Sequence, residues 1–188
     1  MLVDDQPQRA AMVEAALISS GYRVLSIIPS ATGLLFQIEQ HQPDVILIDL
    51  DSPDRDMLDS LSIVNAQNPM PVVMFSKEDD PDFIQQAVQS GVTAYQLDKI
   101  SAEKVKPVLD VAMAQFDAFQ SLKQALDDTR TELADRKTIE KAKGLLMKVH
   151  SVSEEEAFKT LRSLAMETNQ KLGTAAQNLI AMLEKTIK

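Results

Sequence analysis

"DVILID", residues 44–49, runs through four apolar side chains and ends on a carboxylate. A strand with one wet face alternates apolar and polar residues. A run that is apolar on both faces belongs to the middle of a covered parallel sheet. Four more short β-rich runs flank it in sequence: "MLVD" (1–4), "YRVLSI" (22–27), "PVVMF" (71–75) and "TAYQL" (93–97). Helix signals separate them. Pro7 stands near a helix start with Gly21 just past its end, and "PDFIQQAVQSG" repeats the arrangement from Pro81 to Gly91. Five β/α units in succession predict a doubly wound α/β domain, a five-stranded parallel sheet with helices on both faces.

In such a sheet, function sits beyond the carboxyl ends of the strands. Those ends carry Asp4 and Asp5, Asp49, Ser76 and Asp98. Carboxylates meeting at one edge repel unless a cation neutralises them, and a hard divalent ion such as Mg²⁺ is the obvious candidate. A carboxylate beside Mg²⁺ can also attack a phosphoryl group. The stretches "LVDD" (2–5), "LIDLDSP" (47–53), "VVMFS" (72–76) and "GVTAYQL" (91–97) together resemble the receiver domain of bacterial response regulators. The resemblance covers residues 1–101 and implies a flavodoxin-like sheet. It implies Asp49 as phospho-acceptor and Asp4, Asp5, Asp49 and the Asp51 carbonyl around Mg²⁺. Ser76 would be the switch hydroxyl and Tyr95 the switch aromatic.

One position departs from that pattern. Receivers place a lysine at the end of the fifth strand, and here Asp98 stands there, followed by Lys99. Neighbours in a strand point to opposite faces, so Lys99 is no simple substitute. A second carboxylate ~4 Å from the acceptor costs on the order of 4 kcal/mol at an effective dielectric of about 20. Phosphotransfer is therefore expected to be weak or absent, with the domain working chiefly as a docking surface.

From about Ser101 the strand signals stop. Val105, Ala112, Phe119, Leu126 and Leu133 recur every seven residues, with Leu109 and Phe116 at a second seam position that Lys123 and Arg130 interrupt. This heptad predicts a coiled-coil dimerisation helix over 102–135, with Leu109, Ala112, Phe116, Phe119, Leu126 and Leu133 at the interface. A long helix laying the same stripe on its own first domain is the alternative. Residues 136–188 read as three short amphipathic helices. Ser153 and Glu156 stand at capping-box spacing, and three apolar faces are readable: Ile139, Ala142, Leu146 and Val149; Ala157, Leu161 and Ala165; Leu172, Leu179, Ile180 and Leu183. The lone aromatic of this segment, Phe158, reads as core.

The charge splits with the chain. Residues 1–135 hold 22 acidic and 9 basic side chains, whereas residues 136–188 hold 6 and 10, within a net charge of −9. A basic tail on an acidic module points to nucleic acid; a solvated helical face is the plainer reading. "IEKAKGLLM" (139–147), "SEEEAFKTLRSLAM" (153–166) and "NQKL" (169–172) resemble the ANTAR domain, the RNA-binding module of AmiR- and NasT-type antitermination regulators. "VHSVS" stands where that family usually has a glycine, and "GTAA" replaces a more charged helix start. The resemblance implies binding to hairpins in nascent leader RNA, as a homodimer. In NasT-type members a nitrate-sensing, NasS-like inhibitory protein holds the regulator inactive, so nitrate or nitrite assimilation genes are the expected targets. Lys141, Lys143, Lys148 and Arg162 would meet RNA. Gly144, which costs a helix interior about 1 kcal/mol, would permit close approach of either RNA or a neighbouring helix.

There are no cysteines, which excludes disulfides and thiolate metal sites and suits a reducing compartment. No apolar run nears the ~20 residues that span a bilayer. The opening "MLVDDQPQR" carries carboxylates where a signal peptide carries positive charge, so a cytoplasmic protein is expected. His41 and His150 are isolated, and no enzymatic activity is expected beyond self-dephosphorylation. Two other classes stay open. One is a DNA-binding regulator, for which no exposed basic recognition helix is evident; the other is a module that signals by protein contacts alone.

Overall fold

The computed structural model describes residues 1–97 and 100–186. It divides into two compact units, Met1–Gln120 and Ser121–Lys188. In the first, β1 (Leu2–Asp4), β2 (Ile27–Ile28), β3 (Ile46–Asp49), β4 (Val72–Phe75) and β5 (Ala94–Gln96) form one parallel sheet in the order β2-β1-β3-β4-β5. The connecting helices are α1 (Pro7–Ser19), α2 (Leu34–His41), α3 (Arg55–Gln67) and α4 (Pro81–Gln89). This is the flavodoxin-like order.

Alternation along the strands builds two cores. Val3, Ile46, Ile48, Val72 and Met74 pack against Leu34 and Ile38 of α2, Met57 and Leu61 of α3, and Ala87 of α4. Leu2, Leu47, Val73 and Phe75 point the other way, onto Ala10, Val13 and Leu17 of α1. Every residue of β1, β3 and β4 is buried, as strands covered on both faces must be. The second run differs from its expected 22–27. Only Ile27 and Ile28 enter the sheet, while Tyr22 and Val24 pack over the α1 side, where the Tyr22 hydroxyl donates to Asp110 at 2.8 Å.

Helix α5 runs unbroken from Ala102 to His150, so the expected coil segment and the first helix of the tail are one helix. The heptad divides along it. Val105, Leu109 and Ala112 are buried in the α1-side core, which removes Leu109 and Ala112 from any interface with a partner. Phe116 is half-buried. Phe119, Leu126 and Leu133 are 64, 50 and 55 % exposed. Over two or three turns a repeat of 3.5 and one of 3.6 are indistinguishable, so a helix packed on its own sheet writes the same pattern as a coil.

In the second unit, α5 packs with α6 (Glu154–Glu167) and α7 (Leu172–Thr186). Ala142, Leu146, Ala157, Leu161 and Ala176 form its centre, and the small side chains let the helices approach closely. The capping box forms as expected: the Ser153 hydroxyl accepts from the Glu156 backbone N–H, and the Glu156 carboxylate accepts from that of Ser153 at 2.9 Å. In "GTAA", Gly173 leaves room for the Asp135 side chain, with which a Cβ there would collide. Two expected core residues lie outside it. Val149 is 39 % and Phe158 40 % exposed, because each sits at the edge of its helix's apolar face. Among the described residues no helix is long and apolar enough to cross a membrane.

The turn after α5 explains "VHSVS". Ser151 has φ +54°, the left-handed region that follows many helices and that glycine enters without a Cβ clash. The left-handed region costs an L-residue roughly 1–2 kcal/mol. Part of the gain from glycine is offset by roughly 0.4–1 kcal/mol of extra freedom in the unfolded chain. Ser151→Gly is expected to stabilise the second unit by about 0.5–1 kcal/mol, measured by urea denaturation of the full chain.

Candidate functional site

The register of β1 against β3 sets Asp4 directly beside Asp49 at the carboxyl edge of the sheet. Both are buried, 3 and 2 % exposed. Asp5 and Asp51 lie on the loops just beyond, so the four acidic residues expected to surround a metal do converge. What stands among them is Arg9. Pro7 starts α1, and Arg9 lies on the buried face of that helix with Ala10, Val13, Ala16 and Leu17. Its Nε donates to both Asp4 carboxylate oxygens at 3.1 and 3.0 Å. Its Nη2 donates to Asp4 Oδ1 at 2.9 Å, Asp5 Oδ1 at 3.0 Å and the Asp49 carbonyl oxygen at 2.7 Å. Asp49 Oδ2 lies 3.1 Å from Nε and Asp51 Oδ1 3.6 Å from Nη1. At the rim, Lys77 pairs with Asp51 Oδ2 at 2.8 Å.

Receiver domains hold Mg²⁺ at this corner, but the residues here do not fit it as arranged. Both carboxylate oxygens of Asp4 and one of Asp5 already accept from a guanidinium that also stands in charge contact with Asp49 Oδ2, and among the described residues no cluster of three or more acidic side chains is disposed to hold a metal ion. Burial would lower the charge affinity of Arg9, yet its hydrogen bond to Asp4 and the charges of Asp49, Asp4 and Asp5 raise its pKa further. Asp49 goes the other way. Burial, joined by the Asp4 and Asp51 charges, outweighs Arg9 and the Ile100 backbone N–H and pushes it up to about 6. Sequence reasoning missed Arg9, although the signal was there: a lone cation on the apolar face of α1, four residues after Asp5.

The two switch positions sit at the same edge. Ser76, buried at the end of β4, donates weakly to the Asp51 carbonyl at 3.5 Å and accepts from the Glu78 N–H at 3.1 Å. Tyr95 is half-buried, packed edge-on against Phe83, and its hydroxyl donates to the Glu78 carbonyl at 2.9 Å. Asp98, at the usual lysine position, and Lys99 lie outside the described residues.

The residues expected to meet RNA separate into two groups. Lys143 is 11 % exposed, bridges Glu140 at 2.9 Å and Glu154 at 2.7 Å, and lies 6.0 Å over the Phe158 ring. Its hydrogen bonds to those two carboxylates raise its pKa. Lys143 thus ties α5 to α6. Lys141 and Lys148 are exposed with Gly144 on a different face, and Lys137 extends it at helical spacing, i, i+4, i+7 and i+11. Lys137 was not anticipated. Lys141 pairs with Glu184 at 2.8 Å, an exposed contact. A Cβ on Gly144 would meet nothing within 4 Å, so the glycine does not serve helix packing among the described residues. Arg162 lines an open groove of about 570 Å³ with Phe158, Met166, Asn169 and Lys171.

Residues 1–108 match the response regulator receiver domain family, and residues 127–180 match the ANTAR domain family. The transcriptional regulatory protein PdtaR of Mycobacterium tuberculosis is 24 % identical over 183 residues, spanning 97 % of this chain and 89 % of that protein. A nitrate regulatory protein of Klebsiella oxytoca is 34 % identical over 88 residues, 47 % of this chain and 22 % of its own length. Among solved structures, the signal receiver domain of NarL from Mycobacterium tuberculosis shares 32 % identity at a TM-score of 0.52. That match covers 59 % of this chain and 92 % of the other.

The raised Asp49 carboxyl has a consequence for stability. Unfolded, it releases its proton near 3.8; folded, near 6, so the folded state binds more protons in between. Stability from this group is therefore greatest below that interval and falls as pH rises through it. Asp49→Asn is expected to stabilise the protein at neutral pH by on the order of 2–3 kcal/mol. The gain over wild type should vanish in acid, as followed by urea denaturation across the pH range.

Proposed function

We propose, for a chain that belongs to the response regulator receiver family and whose residues 127–180 match the ANTAR domain family, that it is a non-enzymatic antitermination regulator that binds leader RNA hairpins. One observation supports this most: the exposed stripe Lys137, Lys141, Gly144 and Lys148, on a basic segment of an otherwise acidic chain. A phosphate backbone needs cations spaced along a line and a surface that it can approach. Gly144 provides the approach, since it faces open space where alanine would make a better helix. The Lys141–Glu184 pair does not obstruct this, because exposed ion pairs are worth only about 0–1 kcal/mol. Arg162 suits base contact in an unstacked loop, lining a groove together with an aromatic and a thioether.

The homodimer is part of this proposal, with Phe119, Leu126 and Leu133 as the seam. They are large, apolar and exposed at heptad spacing. The targets we propose are nitrate or nitrite assimilation genes, with a nitrate-sensing inhibitory partner. The likeness of 88 residues to a nitrate regulatory protein supports that assignment. No feature of the described residues favours a DNA recognition helix over this reading.

Gel shifts with a two-hairpin leader RNA, a scrambled RNA and promoter DNA test the proposal. Preference for the leader is expected, and equal retention of DNA would sink it. Glutamine at Lys137, Lys141 and Lys148 should weaken all RNAs alike and flatten the salt dependence by roughly 0.7 per lost contact. Lys143→Gln should instead lower the melting temperature. Gly144→Ala should strengthen the helix by about 1 kcal/mol while RNA binding drops; unchanged binding would remove the glycine from the interface.

Phe119→Ala with Leu126→Ala should convert a dimer to a monomer by light scattering. It should also weaken two-hairpin binding, because linkage of two sites is lost. A dimer that survives both changes would place the interface elsewhere.

A further inference from the structure

We infer that the cation of the acidic corner is the chain's own Arg9, and that Arg9 keeps divalent metal out of it. The inference concerns the first unit alone and holds whatever the tail binds.

A magnesium ion requires six oxygens at about 2.1 Å in near-octahedral array, several of them water. Here both oxygens of Asp4, one of Asp5 and the carbonyl of Asp49 already accept from two nitrogens of one guanidinium, at 2.7–3.1 Å. Asp49 Oδ2 adds a charge contact at 3.1 Å. The guanidinium is not a surface group that drifted inward. Arg9 is 8 % exposed and projects from the face of α1 that buries Ala10 and Val13 against the sheet. Its charge is permanent, so it neutralises the corner at any pH and any metal concentration. The rim is served as well, by Lys77 on Asp51 at 2.8 Å. Two cations of the chain therefore stand where a receiver would recruit one from solution.

Removing a side chain so placed would strand Asp4 and Asp49 side by side, a demand that a divalent ion can meet. The consequence is specific: metal binding is latent in the carboxylates and blocked by one residue.

The test uses the full chain, with Mn²⁺ as a paramagnetic stand-in for Mg²⁺ and amide resonances as the readout. Wild type should show no selective broadening at Asp4, Asp49 and Asp51 at millimolar Mn²⁺. Arg9→Ala should broaden at those amides and bind Mn²⁺ roughly tenfold or more tightly than wild type, with melting raised by Mg²⁺ in the variant only. Arg9→Lys, which retains charge but not the fork, should fall between them and provides a second variant if alanine prevents folding. Selective broadening in wild type would overturn the inference without reference to any variant. So would its absence from both wild type and a folded Arg9→Ala, since exclusion would then not depend on Arg9.

Discussion

Two buried carboxylates set side by side by strand register are the constraint around which the first unit is arranged. Asp4 pairs with Asp49 across β1 and β3, so the register of a central ladder fixes their backbones side by side. Two such charges in a dry corner repel strongly unless a cation lies between them. The loop of two residues after Asp4 and the proline that starts α1 bring Arg9 to that place within a single helical turn. Its planar fork then meets two carboxylates and a carbonyl at once, which a lysine's point charge would not do. The incomplete part is local: Arg9 Nη1 and Asp49 Oδ2 are buried without hydrogen bonds, and Asp49 holds its proton to about pH 6.

The two-faced sheet was legible because burial on both sides leaves no alternative to continuous apolar strands. "DVILID" and "PVVMF" therefore announced their places, and the prolines and glycines around α1 and α4 marked their ends. The second run was less legible. Tyr22 and Val24 have strand-like side chains, but they are used to cover α1, and β-propensity measures fit to a half-buried surface rather than ladder membership. Leu109 and Ala112 misled for a related reason. Periodicity reports which face is apolar, not which object covers it, and here the covering object is the chain's own sheet.

Arg9 was the least legible residue of the site. A charged side chain near a helix start ordinarily faces water, and sequence offers only its company to say otherwise. That company was Ala10, Val13, Ala16 and Leu17 on one face, with Asp5 one turn before. Reasoning that the carboxylates need a cation was sound, and the chain itself already places one among them. The same limit applied in the tail, where Lys141 and Lys143 read alike. Two positions apart on a helix they face different ways, and only Lys143 finds two carboxylates and an aromatic ring.

The value of a cation in this protein is therefore decided by what surrounds it rather than by its type. The charges of Arg9 and Lys143 are met by neighbouring carboxylates, so these residues hold elements together and present little charge outward. Lys137 and Lys148 have no ion-pair partner among the described residues, and Lys141 has one that water already weakens. Net charge of the segment counts all of these equally, which is why a balance of charge suggests a nucleic-acid surface without locating it. The proposed location rests on the helical phase that sets Lys137, Lys141, Gly144 and Lys148 together, away from Ala142 and Leu146. On that face a glycine costs helix stability, and nothing among the described residues comes within 4 Å of the Cβ it lacks. In the proposed reading, a position that weakens its own helix and packs against nothing among the described residues answers to a partner that approaches from outside, and the exposed lysines beside it suit an anionic one.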